Sequence, residues 1–242
     1  MLCLLKYFRE LKEARLLRKQ QREERRLRIL DVTEALVRET NGTDFSMIEV
    51  ARRARMSAPT PYNLFGTKGT ILYALLNRAM DHLMRGELAY ESGSAPALHP
   101  VMAMTHAAEF FISDPKLFRP LFKYQLGEYA YGERPAYMDR ALEYWRTSLD
   151  GLVAARILDL GARTSAFSRD DVAVPLLAQS VGLLDLWVQG EFTDDEFRAR
   201  MTFSAALIVH PVVDDASRVH LDAIIRAMKP AIRSVFSFQA VT

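Results

Sequence analysis

Cysteine is almost absent from this 242-residue chain, which contains only Cys3. An internal disulfide is therefore excluded, and a reducing compartment is the ordinary setting for such a sequence. The apolar runs also fall far short of the ~20 residues that a membrane-spanning helix needs. The short apolar start, Met1 to Phe8, is interrupted by Lys6, and no cleavage site of small residues follows it. We therefore expect a cytoplasmic protein without a membrane segment.

Signals for β-hairpins are lacking too, since no stretch shows sustained alternation of apolar and polar residues between hairpin turns. Apolar residues instead recur at helical spacing almost throughout. Half of the residues are hydrophobic and 26% are charged, which is ordinary for a folded globular protein. The sequence predicts an all-α fold of one or two domains.

Charge is distributed unevenly along the chain. Residues 1 to 72 hold 15 lysines and arginines against nine acids, a net charge of +6, whereas the remainder has a net charge of −4. A basic N-terminal third on an acidic body is typical of a protein that meets a polyanion at one end. From charge alone, a solvated helix face without a ligand is an equal alternative.

The first third of the chain is predicted to hold four helices. A charged segment, residues 9 to 28, runs into an apolar one that Asn41-Gly42 ends. Ser46 begins a second helix with Glu49 as its capping-box partner, and a short third helix begins at Ser57 or Ala58. Thr67 caps a fourth, which runs to about Tyr90. The buried face of the second helix is predicted to consist of Ile48, Val50, Ala51 and Ala54, and Phe65 is predicted core in the third.

Six longer helices are predicted beyond a loop that begins at Glu91, and their starts are marked by capping residues and prolines. The approximate spans are 98 to 112, 115 to 126, 135 to 161, 169 to 190, 194 to 210 and 216 to 237.

Three short helices with a tight turn between the second and third predict a helix-turn-helix over residues 46 to 68. The string Ser57-Ala-Pro-Thr60-Pro-Tyr62-Asn-Leu-Phe65-Gly-Thr-Lys68 follows Ile48-Glu-Val-Ala-Arg-Arg-Ala54. With these residues the sequence resembles the TetR family of repressors, over about residues 25 to 75. The resemblance implies a DNA-binding domain over 21 to 68 and a helical bundle for ligand binding and dimerisation over 69 to 242. Residues 1 to 20 form a basic extension before them.

Contacts to DNA phosphates are expected from hydroxyl and ammonium groups. Thr60 and Tyr62 carry hydroxyls on a short helix whose N-terminus is expected to offer free N–H groups. Lys68 opposes the dipole of the fourth helix, a conflict that a nearby phosphate would resolve. The family resemblance implies the same backbone contact. Ser46 is a further phosphate candidate, and Ser57 belongs to the same motif.

Base reading is expected from three positions of the third helix. Ala58 and Pro59 have no hydrogen-bonding side-chain groups, so thymine methyls are their natural contacts, while Asn63 can read adenine or face the backbone. Pro59 and Pro61 fit a helix whose N-cap is Ala58, because neither proline's missing N–H is then needed. We therefore predict that regular helix begins after Ala58.

The N-terminal extension carries more arginine than the motif requires, including Arg15, Arg18, Arg22, Arg25, Arg26 and Arg28. One interpretation is an arm that contacts phosphates or the minor groove. The other is a solvated helical lead-in, and the sequence favours neither.

Aromatic residues and methionines are concentrated after residue 100, and most of them must be core. The family resemblance implies that some enclose a pocket for an apolar small molecule. The candidate ligand-binding residues are His106, Phe110, Phe111, Phe118, Phe122, Tyr144, Trp145 and Trp187. The five histidines show no ligand spacing, so no metal site and no cofactor are predicted.

Two late helices carry apolar residues at helical spacing that suit either a homodimer interface or internal core. These residues are Leu176, Leu177, Val181, Leu184, Ile224, Ile225, Met228 and Ile232.

The predicted function is that of a homodimeric, ligand-responsive regulator, a repressor in the family pattern, which binds a near-palindromic operator in duplex DNA and is released by an apolar effector. The alternative is a helical enzyme or small-molecule-binding protein that uses the aromatic cavity. No nucleophile, base and orienting group at recognisable spacing supports an enzyme, so the protein is predicted not to be one.

Overall fold

A computed structural model describes residues 2–85, 94–127, 134–158 and 167–232 of the chain. Within these ranges the backbone forms eleven α-helices and no strand, which confirms the all-α prediction. The helices are α1 (Leu2–Thr40), α2 (Met47–Arg53), α3 (Pro59–Phe65), α4 (Lys68–Arg85), α5 (His99–Ile112), α6 (Pro115–Leu126), α7 (Arg134–Ser148), α8 (Asp150–Ala154), α9 (Arg169–Val188), α10 (Asp194–Val209) and α11 (Asp215–Met228).

The chain divides into two compact units, Met1–Leu76 and Asn77–Thr242. In the N-terminal unit α1 packs against α2 and α3, and its core includes Ile29, Val50 and Leu72, none of which retains solvent exposure. In the C-terminal unit α10 packs against α5, α9 and α11, while α9 also packs against α6 and α7. Each unit thus buries its own apolar core.

Helix starts in the C-terminal unit follow the capping signals in the sequence. Asp114, Ser168, Thr193 and Asp214 are N-caps whose side chains accept a hydrogen bond from the backbone three residues on. Ser168 and Thr193 form full capping boxes with Asp171 and Glu196. Each cap satisfies backbone donors that the first turn leaves unpaired.

The helix predicted over 135 to 161 is wrong in its second half. Helix α7 ends at Ser148, and α8 is a five-residue helix that ends at Ala154. After it, Arg156 adopts a left-handed backbone (φ 58°), and Ile157 N–H donates to the carbonyl of Leu152. A Schellman-type end normally uses glycine, so the sequence carried no stop signal here. Residues 159 to 161 lie outside the described ranges.

The last predicted helix, 216 to 237, also ends early. Helix α11 stops at Met228, and Lys229–Ala231 form a single 3-10 turn. Pro230 accounts for this end, because proline has no N–H to donate and its ring clashes with the carbonyl of the preceding helical turn. Residues 233 to 237 lie outside the described ranges, as do residues 86 to 90 of the predicted fourth helix.

Helix α9 is long and apolar enough to cross a membrane by length and composition, and a third of its apolar window is buried. Its inner face belongs to the core of the C-terminal unit, where Leu176 and Trp187 have no solvent exposure. A core helix passes the same test of length and composition.

Candidate functional site

Helix α2 begins as predicted, but half of the expected capping box is missing. Ser46 Oγ accepts a hydrogen bond from Glu49 N–H over 3.1 Å. The Glu49 carboxylate does not return to the backbone of Ser46, because it accepts hydrogen bonds from Arg52 and Arg53. These guanidinium groups, Arg52 first, lower the pKa of Glu49 from 4.5 to about 2. Two basic groups of α2 are therefore already paired with an acid.

The prediction that Ile48 belongs to the core is wrong. Its side chain is 63% exposed, whereas Met47, Val50 and Ala51 are buried. The register of α2 turns Ile48 outward on the same face as Arg52, one helical turn later. An exposed aliphatic side chain on this helix is available for contact with a partner.

The turn between α2 and α3 depends on a non-glycine residue in the left-handed region. Arg55 has φ 56°, and Met56 N–H donates to the carbonyl of Ala51 over 2.9 Å. This arrangement closes α2 and reverses the chain within four residues. The guanidinium of Arg55 is carried on an exposed side chain at the turn.

Helix α3 begins at Pro59, with Ala58 at the N-cap position, as predicted. Ala58 already has helical angles (φ −51°, ψ −38°), and Thr60 N–H donates to the carbonyl of Ser57 over 2.9 Å. The first turn is therefore of the 3-10 type, and Pro61 does not deprive the Ser57 carbonyl of its partner.

The start of α3 offers fewer N–H groups than expected. Pro59 and Pro61 have no N–H, and that of Thr60 is bonded to Ser57. Side chains are therefore the main donors for a phosphate at this end. The hydroxyls of Ser57 and Thr60 lie 2.7 Å apart and form a hydrogen-bonded pair at this point.

The outward face of α3 is formed by residues of the motif. Ala58, Pro59, Tyr62 and Asn63 are exposed, and Tyr62 retains half of its accessible surface. Pro61 and Phe65 point inward and are buried, which confirms Phe65 as core. The structure thus brings the expected base-reading and hydroxyl-bearing residues to one exposed surface, which we call the α3 face.

Lys68 is held by the N-terminal unit itself. Its ammonium donates to the backbone oxygen of Thr43 over 2.9 Å and lies 5.5 Å from the ring centre of Phe45. The hydrogen bond to this carbonyl offsets part of the unfavourable interaction between a cation and the positive end of the α4 dipole. Because an ammonium has three donors, two remain for a further acceptor such as a phosphate.

Helix α1 presents a basic stripe, which we define as Arg15, Arg18, Arg22 and Arg25. All four are exposed. The same spacing of three and four residues continues to Ile29, Thr33 and Leu36, which are buried in the core. The stripe therefore prolongs the face of α1 that packs against the rest of the unit.

One arginine at the inner end of this face contacts α3 directly. The guanidinium of Arg26 donates to the carbonyl of Leu64 over 2.5 Å and lies 4.1 Å from the ring centre of Phe65. The side of α1 that carries the basic stripe is thus the side on which α3 lies.

The C-terminal unit contains a cavity lined by residues of α4, α5, α6, α7, α9 and α10. Phe111, Phe122, Tyr144 and Trp145 line it, as expected from the sequence. The hydroxyl of Tyr144 donates to the carbonyl of Ala103 over 2.8 Å. A concave site with a mostly apolar wall and few polar groups is typical of small-molecule binding.

The other four candidate ligand-binding residues do not line this cavity. Phe118 packs against Phe110 and Phe111, with ring centres 5.0 and 5.4 Å away. Trp187 stacks on Phe197 and donates from its indole to Asp194. His106 is half-buried outside the lining. The helical spacing of aromatic residues did not distinguish cavity walls from solid core.

One polar residue of the cavity wall was not predicted from the sequence. Gln125, near the end of α6, lines the cavity and is 2% exposed. A single glutamine in a helix carries no periodic signal, so only the structure identifies it. Among the described residues, no three His, Cys, Asp or Glu side chains cluster as a metal site.

The α9 residues named as possible interface are directed into their own unit. Leu176 and Leu184 are buried, and Leu177 and Val181 line the cavity. The opposite side of α9 is exposed at Val174, Ala178 and Gly182. In α11, Ile224, Ile225 and Met228 are half-buried, as is Ile232 in the segment after it.

Taken together, these features define an all-helical protein with an N-terminal helix-turn-helix and a C-terminal bundle around a cavity. No family model matches the sequence, and no curated protein matches it. Solved structures do match at the level of fold.

One matching structure is a TetR transcriptional regulator from Rhodococcus sp. RHA1, with 16% identity and a TM-score of 0.60 over 77% of this chain and 96% of that one. A second is RolR (NCGL1110) in complex with resorcinol, with 17% identity and a TM-score of 0.60 over 90% and 98%. A third, from Streptomyces coelicolor, is a TetR-family regulator with 19% identity and a TM-score of 0.54 over 89% and 93%. The chain therefore has the fold of TetR-family transcriptional regulators, and the resemblance noted in the sequence is confirmed at that level.

Proposed function

We propose that this protein is a ligand-responsive transcriptional regulator that binds a near-palindromic DNA operator as a homodimer and acts as a repressor. The observation that carries the proposal is the α3 face, where Tyr62 and Asn63 are exposed beside the hydroxyl pair of Ser57 and Thr60. A short helix of this kind, presented by a capped preceding helix, fits the major groove.

Phosphate contacts are assigned to the groups that surround this face. Thr60 and Tyr62 offer hydroxyls, Ser46 offers a hydroxyl at the start of α2, and Lys68 retains two ammonium donors. Phosphate contacts fix the position of the protein on DNA, whereas Ala58, Pro59 and Asn63 are placed to read bases. The apolar pair favours thymine methyl groups.

The basic stripe of α1 extends this surface. Arg15, Arg18, Arg22 and Arg25 lie on the side of α1 that contacts α3 through Arg26. Four exposed guanidinium groups in a row suit the backbone of DNA flanking the half-site. This supports the arm interpretation of the N-terminal extension over the solvated lead-in.

Dimerisation is assigned to the exposed sides of α9 and α11. Val174, Ala178 and Gly182 follow one another on α9, and Val219 and Ala223 are exposed on α11. Small apolar side chains allow helices from two subunits to pack closely in a four-helix arrangement. A two-fold dimer would place two α3 helices on the two half-sites of a palindrome.

The effector site is assigned to the cavity. Met80 and Leu83, which line it, belong to α4, and Lys68 is the first residue of the same helix. An effector that favours one position of α4 would shift the protein between states of different DNA affinity. An enzymatic role for the cavity has no supporting observation.

The test is selection of binding sites from a library of randomised DNA duplexes. We expect enrichment of a near-palindromic sequence whose binding weakens in the variant Thr60→Ala/Tyr62→Ala. Lys123→Ala, on an exposed position of α6, is the matched control. Failure to enrich any sequence, or enrichment that the double variant leaves unchanged, would overturn the proposal.

A further inference from the structure

The wall of the cavity is uncharged. Among the described residues that line it, none is Asp, Glu, Lys, Arg or His. Aromatic and aliphatic side chains form most of the surface, including Phe111, Phe122, Trp145 and Leu184. A formal charge would lose its hydration here without gaining a partner, which costs far more than the transfer of an apolar group.

Most polar groups of this wall are already engaged by the protein. The Tyr144 hydroxyl donates to the carbonyl of Ala103 over 2.8 Å. The Ser180 hydroxyl donates to the carbonyl of Leu177, also over 2.8 Å. Their hydrogens are already used, so neither hydroxyl can donate to a ligand without breaking an internal hydrogen bond.

Gln125 differs from these groups. Its amide nitrogen reaches only the sulfur of Met138, 3.7 Å away, and a thioether is a weak acceptor. Its amide oxygen accepts no hydrogen bond from the described part of the chain. The residue is nevertheless 98% withdrawn from solvent, since its exposed fraction is 2%. The amide oxygen is not among the buried polar atoms that lack a partner, so it keeps contact with the space of the cavity, where a bound donor can reach it.

We propose that the cavity selects a neutral, largely apolar molecule carrying one hydroxyl group, and that this hydroxyl donates to the amide oxygen of Gln125. The inference rests on the proposed function, because it names the class of effector for the same cavity. The aromatic wall supplies the apolar contact, and Gln125 supplies the discrimination. Neutral hydroxylated aromatic compounds have this chemistry.

Discrimination follows from the cost of leaving Gln125 unmatched. An analogue that lacks the hydroxyl fills the same apolar volume but leaves the amide oxygen without a donor. A site that contains a buried polar group rejects such an analogue more strongly than a purely apolar site does. Gln125 is therefore the specificity-determining residue.

The test uses 2-naphthol and naphthalene, which differ by one hydroxyl group, with dissociation constants measured by equilibrium dialysis. For the wild-type protein we expect 2-naphthol to bind about tenfold more tightly, the effect of one satisfied hydrogen bond. In Gln125→Leu this difference should disappear, while naphthalene binding is kept or improved. Gln189→Leu is the matched control, because this glutamine is exposed and lies outside the cavity lining, and it should retain the tenfold difference.

Three results would overturn the proposal. One is a hydroxyl preference that persists in a folded Gln125→Leu protein, as checked by its circular dichroism and thermal midpoint. Another is failure of both compounds to bind the wild-type protein. The third is tighter binding of the cationic probe trimethylphenylammonium than of 2-naphthol, which would show that the aromatic wall binds a cation.

The proposed regulatory function is tested separately. Binding of the selected duplex by Gln125→Leu should equal that of the wild type in the absence of ligand. If 2-naphthol binds through Gln125 but never changes DNA affinity, the regulatory function fails while the assignment of Gln125 stands. Loss of DNA binding in the absence of any compound would instead indicate a defect of folding.

Discussion

The ammonium of Lys68 donates a hydrogen bond to the backbone oxygen of Thr43 over 2.9 Å. This contact fixes the start of α4 on the loop between α1 and α2. A lysine at the first turn of a helix is unfavourable in isolation. Here the hydrogen bond to the Thr43 carbonyl offsets part of that cost. The contact also holds the remaining ammonium donors in a defined position.

Lys68 is therefore expected to serve both stability and DNA binding. Lys68→Met keeps the aliphatic stem and removes the charge. We expect the slope of log Kd against log salt to become shallower by about 0.9, the contribution of one phosphate contact. Loss of the hydrogen bond to Thr43 should also cost about 1 kcal/mol and lower the thermal midpoint by a few degrees. Lys123→Met should change neither quantity, and a lowered midpoint with an unchanged slope would make Lys68 purely structural.

The hydroxyl of Tyr62 can be tested without altering the surface of the ring. Tyr62→Phe should weaken binding of the selected duplex roughly tenfold, because a hydrogen bond to a charged phosphate is lost. Fluorescence anisotropy measures the Kd, and Tyr124→Phe in α6 is the control that should match the wild type. Equal affinities for Tyr62→Phe and the wild type would remove this residue from the DNA contact.

The contribution of an α1 arginine to the salt dependence of DNA binding should depend on whether it belongs to the basic stripe. Arg22 belongs to the stripe, whereas Arg28 is exposed on another side of the same helix. We expect Arg22→Gln to reduce the salt slope of DNA binding by about 0.9 and Arg28→Gln to leave it unchanged. Deletion of residues 1–20 should flatten the slope further. A slope that neither Arg22→Gln nor the deletion alters would show that the extension is a solvated lead-in.

The Glu49 carboxylate predicts a pH dependence of stability. Its pKa in the folded protein is lowered from 4.5 to about 2 by hydrogen bonds from Arg52 and Arg53. A depressed folded pKa contributes stability above the unfolded pKa, and this contribution is lost as the pH falls through the folded value. The thermal midpoint of the wild type should therefore fall more steeply than that of Glu49→Gln between pH 4.5 and about pH 2. Parallel curves for the two proteins would contradict the assignment.

The dimer interface can be tested with a charge on each exposed helix side. Val174 and Val219 retain 48% and 64% of their surface. Burial of a single charge in a subunit interface without a partner is strongly unfavourable, so Val174→Glu and Val219→Glu should each sediment as monomers at concentrations where the wild type is a dimer. Leu207 lies on α10 and is as exposed as Val174, and Leu207→Glu should remain dimeric. A monomeric wild type at micromolar concentration would refute the dimer itself.

Local signals in the sequence predicted much of the fold. Capping residues such as Ser168 and Thr193 fix helix starts through hydrogen bonds to neighbours three residues away, so a short window contains the information. The start of α3 at Pro59 is of the same kind. Helix ends were harder to predict. The left-handed conformation of Arg156, for example, is not indicated by its residue type.

Tertiary features of the candidate site were less accessible. Ile48 is an apolar residue at a position that the register of α2 exposes, and hydrophobicity alone assigned it to the core. Trp187 and Phe118 were indistinguishable from Trp145 until their packing partners were known. Gln125 gave no signal at all, because its significance lies in its position on the wall of the cavity.

The two prolines of α3 also bear on the heat capacity change expected for the proposed binding of DNA. Proline restricts the backbone of the unfolded chain, so Pro59 and Pro61 favour the first turn of α3 in the absence of DNA. A helix ordered in advance buries little additional apolar surface by folding during binding. The heat capacity change on operator binding should thus reflect the contact area alone, without the large negative contribution that accompanies coupled folding.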